Sequence, residues 1–214
     1  AMLNEWSRDT ILRAYSLGIF PMARSRHSAD IDWIEPRMRG VIPLDGFHVS
    51  RSLSRRLLKC EYDIRVNTAF EEVVIACADR SETWINETIF DMYRTLFASG
   101  DAQSLEVWRD GNLIGGVYGV TLGGAFFGES MFSHQKDGSK IALAYLVHRL
   151  RNTGFGLFDT QFITPHLKTL GAEEIPQKTY LDRLYAVIGN DADFRNPDYS
   201  PDVSAIAQRN TQTS

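Results

Sequence analysis

Residues 115–133 read GGVYGVTLGGAFFGESMFS. Six glycines stand among aromatic and β-branched residues, and Glu129 is the one charge in the run. Glycine weakens a strand, so glycines this dense in strand-like sequence mark bulges or a close approach of backbone. A lone carboxylate at the end of such a run is placed to meet a cationic or hydrogen-bond-donating group of a ligand. The stretch reads as a site as well as a scaffold.

Working outward, Ser104 to Trp108 alternates, Asp110-Gly111 is a hairpin signal, and Asn112 to Thr121 resumes as a strand. Gly123-Gly124 predicts a second turn and Ala125 to Met131 a third strand, which makes an antiparallel meander. Ser139 is the expected N-cap of an apolar helix over Ile141 to Arg151. A short buried strand follows at Leu157 to Gln161. Thr164-Pro165 then opens a helix with threonine as cap and proline at its first position. Tyr180 to Ile188 is the last expected helix. Before Gly100 the texture is helical, with helices predicted over Asn4 to Leu17, Ser52 to Lys59, Thr68 to Ala78 and Asn86 to Ser99. Strands are expected near Trp33 and over Tyr62 to Asn67, and RGVIPLDGFHVSRSL (39–53) mixes short extended pieces with turn residues. The tail from Asn190 is polar and expected to be loosely ordered.

The fold class expected is therefore α+β: a small helix-rich N-terminal domain (1–65), a mixed-sheet C-terminal domain (66–190) and a polar tail (191–214). The β-β-β-α-β-α order resembles the acyltransferase fold of N-acetyltransferases. Those enzymes cradle the coenzyme A pyrophosphate in a glycine-rich loop before the crossing helix. Here that loop is HQKDGSK with one glycine, so no coenzyme A site is expected.

With 214 residues, 43% hydrophobic and 23% charged, the chain has the composition of an ordinary soluble globular protein. The first residues are charged and lack an apolar signal core, and no apolar run is long enough to span a bilayer. Cys60 and Cys77 give neither a disulfide framework nor zinc spacing, and a reducing cytoplasm is the expected location. His27, His48, His134 and His148 have no metal-ligand spacing, and His166, near the start of the HLKTLGA helix, reads as a structural histidine or a substrate contact. A net charge of -4 argues against a general nucleic-acid coat protein. It leaves room for a local patch: a helix puts Arg51, Arg55 and Lys59 along one stripe, either a solvated face or a phosphate contact.

YSLGIFPMA, WIEPRMRG, the glycine-rich stretch, SKIALAYL, FDTQ and HLKTLGAEEIP occur in that order. Together they resemble the leucyl/phenylalanyl-tRNA–protein transferase family, over roughly Asn4 to Tyr180. The resemblance implies transfer of leucine or phenylalanine from aminoacyl-tRNA to the N-terminal amine of proteins beginning with arginine or lysine. The product is an N-degron. Neither metal nor coenzyme is implied, and a monomer is expected.

The reaction it implies is attack of an amine on an ester that is already activated. An α-amine titrates near 7.7–8, so orientation and removal of one proton are the main needs. By resemblance, Asp159 draws on Gln161, whose amide oxygen contacts the attacking amine. In a regular strand the two side chains share a face. Glu129, again by resemblance, lies near the α-amino group and ribose of the aminoacyl end. The resemblance places the donor side-chain pocket on Val117, Phe126, Leu146, Leu150 and Phe158, all of which periodicity alone would assign to core. By resemblance the 3′ adenosine platform falls on Trp84 and on a Trp-Trp pair of the family that reads Trp33-Ile34 here. Ile34 replaces the second ring and is expected to pack on the base, and Trp33 is either a core anchor or a ligand contact. Two other readings stay open: an acyltransferase with a different activated donor, and a non-catalytic module that binds tRNA ends or N-degrons.

Overall fold

The glycine-rich stretch lies at the middle of one seven-stranded mixed sheet. The computed structural model describes residues 6–79 and 85–209. In chain order these form α1 (Arg8–Ser16), β1 (Phe20–Ala23), β2 (Ile31–Ile34), β3 (Met38–Val41), α2 (Arg51–Lys59) and β4 (Asp63–Val66). Next come α3 (Phe70–Ala78), α4 (Glu87–Ala98), β5 (Ala102–Arg109), β6 (Asn112–Leu122) and β7 (Ala125–Ser133). The chain continues through α5 (Gly138–Asn152), β8 (Leu157–Gln161), α6 (Pro165–Thr169), β9 (Glu173–Pro176), α7 (Gln177–Val187) and α8 (Val203–Ala207). The large sheet has the order β4-β5-β6-β7-β8-β3-β9, and β1 pairs with β2 separately. β7 and β8 run parallel, joined by α5 as crossover, and the other neighbours are antiparallel.

The expected meander is present as β5, β6 and β7. Asp110 (φ 51°) and Gly111 (φ 77°) both take the left-handed conformation that a two-residue hairpin turn needs. At the second turn Gly123 has φ 55°, and a Cβ there would lie 1.8 Å from the Ile188 carbonyl oxygen. The end of α7 therefore packs directly on this turn. At Gly115 a Cβ would meet the backbone of Gly138 at 2.4 Å, so paired glycines let the start of α5 close onto β6.

The β6–β7 register carries the feature that matters most for the site. Tyr118 pairs with Ser130, and the next residue, Gly119, pairs with Gly128. Glu129 is left over as the extra residue of a β-bulge, which re-aims its side chain.

Both faces of the sheet are covered, so strand residues alternate between two cores rather than between core and water. Val117, Phe126 and Phe158 enter one cluster with α2 and α5. Tyr118, Phe127 and Tyr180 enter the other, with α1, α3, α4 and α7. A buried Leu or Phe contributes roughly 1.5–3 kcal/mol. Helix starts follow their caps: Ser50 accepts from Leu53 N (3.0 Å), Asn86 from Ile89 N (3.0 Å) and Thr164 from Leu167 N (3.1 Å).

Four features differ from the sequence expectation. Ser139 is not the cap of α5; Asp137, in a left-handed conformation (φ 66°), precedes the helix, and Ser139 N donates to Ser133 Oγ. β3 and β9 are full members of the large sheet, where the sequence predicts only short extended pieces from Arg39 onward and no strand after α6; each has only four residues and follows charged or turn-rich sequence. A division at residue 65 does not follow the sheet, since β3 lies between β8 and β9 and β4 spans that position. The stretch after Asn190 is packed through its described part, not loose. Phe194, Ile206 and Ala207 are buried, and α8 lies against α2 and α5. These few apolar residues, widely spaced in polar sequence, cover the flank that α2 and α5 leave open. Among the described residues, no helix is long and apolar enough to cross a membrane.

Candidate functional site

Two carboxylates converge at the C-terminal end of the parallel pair β7–β8, a place where sheets of this kind form crevices. A cleft of about 740 Å³ opens there, walled by residues of β1, α4, β7, α5 and the β8–α6 segment. Glu129 and Gln161 both line it, together with Ser139, Lys140, Thr164 and His166.

Glu129 is partly buried and held by three donors. The Tyr15 hydroxyl donates to Oε1, the Tyr93 hydroxyl to Oε2 (2.7 Å) and Gln161 Nε2 to Oε2 (2.9 Å). Burial pushes its carboxyl up to about 7, against the opposing pull of those hydrogen bonds, and the negative charge of Asp159 adds to the rise. Tyr15 and Tyr93 are themselves held well above the ordinary phenol range, first by burial and then by the charge of Glu129. They stay neutral and can donate.

Asp159 lies fully out of solvent. Arg39 grips it with Nε to Oδ1 at 3.0 Å and Nη2 to Oδ2 at 2.6 Å. The Tyr180 hydroxyl donates to Oδ2 (2.7 Å), and the backbone N–H of Gln161 donates to Oδ1 (2.6 Å). Arg39 is 2% exposed; its guanidinium lies between the rings of Phe20 (4.7 Å) and Tyr180 (4.3 Å) and donates to Gly18 O (2.6 Å). A bidentate pair of this kind is stable in the interior because nearly every polar atom has a partner.

Asp159 and Gln161 do not share a face as a regular strand would have it. Gln161 has φ 66°, which ends the alternation of β8. Asp159 therefore touches the backbone of Gln161, while the Gln161 amide turns to Glu129. Since Nε2 is the donor to Glu129, Oε1 faces away from it, and among the described residues it accepts no hydrogen bond.

The remaining sequence-derived residues fall in several places. Val117 and Phe158 line a small apolar cavity of about 80 Å³ below Glu129, with Ile42, Met131, Leu143 and Leu167. Phe126 sits behind it, at 5.5 Å from Phe158 and 5.8 Å from Phe194. Leu146 and Leu150 are fully buried in the same cluster and do not reach the cavity wall. Trp33 packs on Trp6 (5.2 Å), and with Ile34 it joins the opposite core, off the cleft wall. Trp84 lies outside the described residues; its neighbour Ile85 lines the cleft. Arg55 and Lys59 border a separate hollow of about 420 Å³, joined by Arg56, Arg109 and Lys136, whereas Arg51 does not line it. Arg56 also pairs with Asp137 at 2.7 Å.

Sequence reasoning missed Arg39, Tyr15, Tyr93 and Tyr180. The tyrosines lie on helices among apolar residues, where nothing local marks a hydroxyl aimed at a carboxylate, and nothing local distinguishes Arg39 from the surface arginine at position 37. Among the described residues no cluster of His, Cys, Asp and Glu is arranged to hold a metal ion.

Fold and site together describe a mixed-sheet α/β protein whose polar cleft is built around a glutamate on a bulge. Two family models divide the chain between them. The leucyl/phenylalanyl-tRNA protein transferase N-terminal domain matches residues 5–37, and the leucyl/phenylalanyl-tRNA protein transferase model matches residues 41–185. The chain is 58% identical over 204 residues to the leucyl/phenylalanyl-tRNA–protein transferase of a Cereibacter sphaeroides strain, covering 95% of each chain. It is 55% identical to that of a Ruegeria species (97% of this chain, 99% of the relative) and 52% to that of Paramagnetospirillum magneticum (92% and 97%). In structure it resembles the crystal structure of FemX, with a TM-score of 0.53 and 14% identity over 79% of this chain and 66% of that one. That likeness is one of fold. The chain belongs to the leucyl/phenylalanyl-tRNA–protein transferase family.

Proposed function

We propose that the 740 Å³ cleft transfers leucine or phenylalanine from aminoacyl-tRNA to the N-terminal α-amine of an acceptor protein, which marks the acceptor for degradation. The observation that carries this reading is the Glu129–Gln161 contact on the cleft wall, in a chain of this family. The acceptors are proteins beginning with arginine or lysine, and the donors are Leu-tRNA and Phe-tRNA. We read the fold as acetyltransferase-like, on the strength of the parallel β7–β8 pair crossed by α5. Two free cysteines suit a cytoplasmic setting.

In this reading Gln161 Oε1 accepts a hydrogen bond from the attacking amine and aims its lone pair at the ester carbonyl. Asp159 is a positioning residue: fixed by Arg39 and Tyr180, it holds the Gln161 backbone in its turned conformation. Glu129, when ionised, holds the donor's α-amino group beside the reacting carbonyl. The new C–N bond forms, the ester C–O bond breaks, and the proton lost by the amine ends on the departing ribose oxygen. Positioning of this kind is the larger part of what an activated ester needs.

The donor side chain enters the apolar cavity beneath Glu129, walled by Val117, Met131, Leu143 and Phe158, with Phe126, Leu146 and Leu150 as its backing. Trp84 supplies stacking for the 3′ adenine, and the Arg51–Arg55–Lys59 stripe meets tRNA phosphates. Trp33 and Ile34 pair with β1, which lines the cleft, and support it rather than touching the base. The test is direct: purified protein is incubated with Leu-, Phe- or Met-tRNA and peptides beginning Arg, Lys, Asp or Glu, and products are read by mass. Transfer of leucine and phenylalanine to the Arg and Lys peptides is expected. Binding of charged tRNA without any transfer would overturn the proposal.

A further inference from the structure

Phe162 follows Gln161 and is 45% exposed, unlike the other large rings of this region. Its place is fixed. The left-handed turn at Gln161 (φ 66°) carries it out of the strand, and Thr160 Oγ1 donates to its carbonyl oxygen (3.2 Å). The buried Phe20 ring meets it in a T-shaped contact at 5.6 Å. Phe162 thus stands on the cleft wall beside Pro21, Met22 and Gln161.

An acceptor with a basic first residue brings a second cation into this cleft, close to its own α-amine. The carboxylates of the described wall have other partners in this reading. Asp137 pairs with Arg56 at 2.7 Å, and Glu129, which carries three neutral donors, takes the donor's α-amino group. Of the tyrosine and phenylalanine rings on the described wall, Tyr93 and Tyr118 are 3% and 2% exposed and pack on each other at 5.4 Å. The Phe162 ring is the one left open. Its π-face is negative, and it attracts a guanidinium or ammonium group that comes within about 6 Å of the ring centre.

We infer that Phe162 selects the acceptor, its ring receiving the cationic side chain of the acceptor's first residue. The inference rests on Gln161 Oε1 receiving the attacking amine, because that contact brings the acceptor's first side chain to the next residue of the wall. A cation held by a ring rather than by a carboxylate tolerates both arginine and lysine, since neither fork geometry nor a single donor direction is demanded.

The experiment compares peptides beginning with arginine and with citrulline, which has nearly the same shape and no charge. Direct binding is measured by fluorescence anisotropy without donor, and KM and kcat are measured with Leu-tRNA. For Phe162→Leu the expected result is an affinity for the arginine peptide about tenfold weaker, KM raised to match, and kcat, citrulline-peptide binding and donor KM unchanged. Phe162→Trp, which keeps a ring, is expected to restore the preference for arginine. Equal losses with both peptides would overturn the inference, as would a raised donor KM, which would give the ring to the tRNA's adenine instead. Should the protein transfer nothing yet bind arginine over citrulline in a Phe162-dependent way, the transfer reading and the acceptor role fail with it, and only the cation site on the Phe162 ring stands.

Discussion

Asp159 and Glu129 sit on adjacent parallel strands, both largely removed from water, and both touch Gln161. Their surroundings could hardly differ more. Asp159 faces a cation: Arg39 pairs with it bidentately, and Tyr180 and a backbone N–H fill the remaining positions. Glu129 faces only neutral donors, two phenols and an amide, and its carboxyl is pushed up to about 7. A charge that is fully compensated is fixed in place and rigidifies its neighbours. A charge that is hydrogen-bonded but uncompensated can respond to a ligand's amine. By this contrast the first carboxylate builds the site and the second meets the substrate.

The largest effect should come from breaking the compensated charge. Arg39→Ala leaves Asp159 buried without its cation and is expected to cost about 3–5 kcal/mol, read as a lowered urea midpoint. A loss below 1 kcal/mol would dissolve the distinction between the two carboxylates. Glu129→Gln should do the opposite, keeping the fold while lowering kcat/KM for transfer by roughly 100-fold, about 3 kcal/mol of transition-state stabilisation.

The same substitution sharpens the contrast through pH. The Glu129 carboxyl is raised from 4.5 to about 7 in the folded protein. Between those values the folded chain holds a proton that the unfolded chain has released, so this group's contribution to stability falls as pH rises. Wild type should lose on the order of 2 kcal/mol relative to Glu129→Gln between pH 4.5 and 7.5, measured by urea unfolding at each pH.

Smaller effects belong to the edges of the site. Met131→Ala widens the apolar cavity under Glu129 and is expected to raise the Phe-to-Leu ratio of transfer about fivefold in competition assays. Removing Lys59 should reduce the slope of log affinity for tRNA against log salt by about 1, while the slope stays unchanged if that side chain is only solvated.

Much of the architecture was legible. The meander, the crossing helix and the strand Leu157–Gln161 were written in alternation, turn residues and caps, all local signals. Residues whose role depends on a remote partner were not. Arg39 meets Asp159 across 120 positions and Tyr15 meets Glu129 across 114, and no local pattern encodes such distances. β3 joins the sheet between β8 and β9 for the same non-local reason. The odd acid in the glycine-rich stretch was visible as a singular residue. What could not be read was the bulge that aims it, since a bulge is a relation between two strands.

Glu129 changes charge near neutrality in the cleft. The direct measurement is the pH titration of its side-chain carboxyl by 13C NMR, assigned by its absence in Glu129→Gln, beside the pH dependence of kcat/KM for leucine transfer. A midpoint near 7 in the spectrum, with a rise in transfer through the same midpoint that Glu129→Gln lacks, is the predicted result. A midpoint near 4.5, or a transfer profile that Glu129→Gln leaves unaltered, would contradict it.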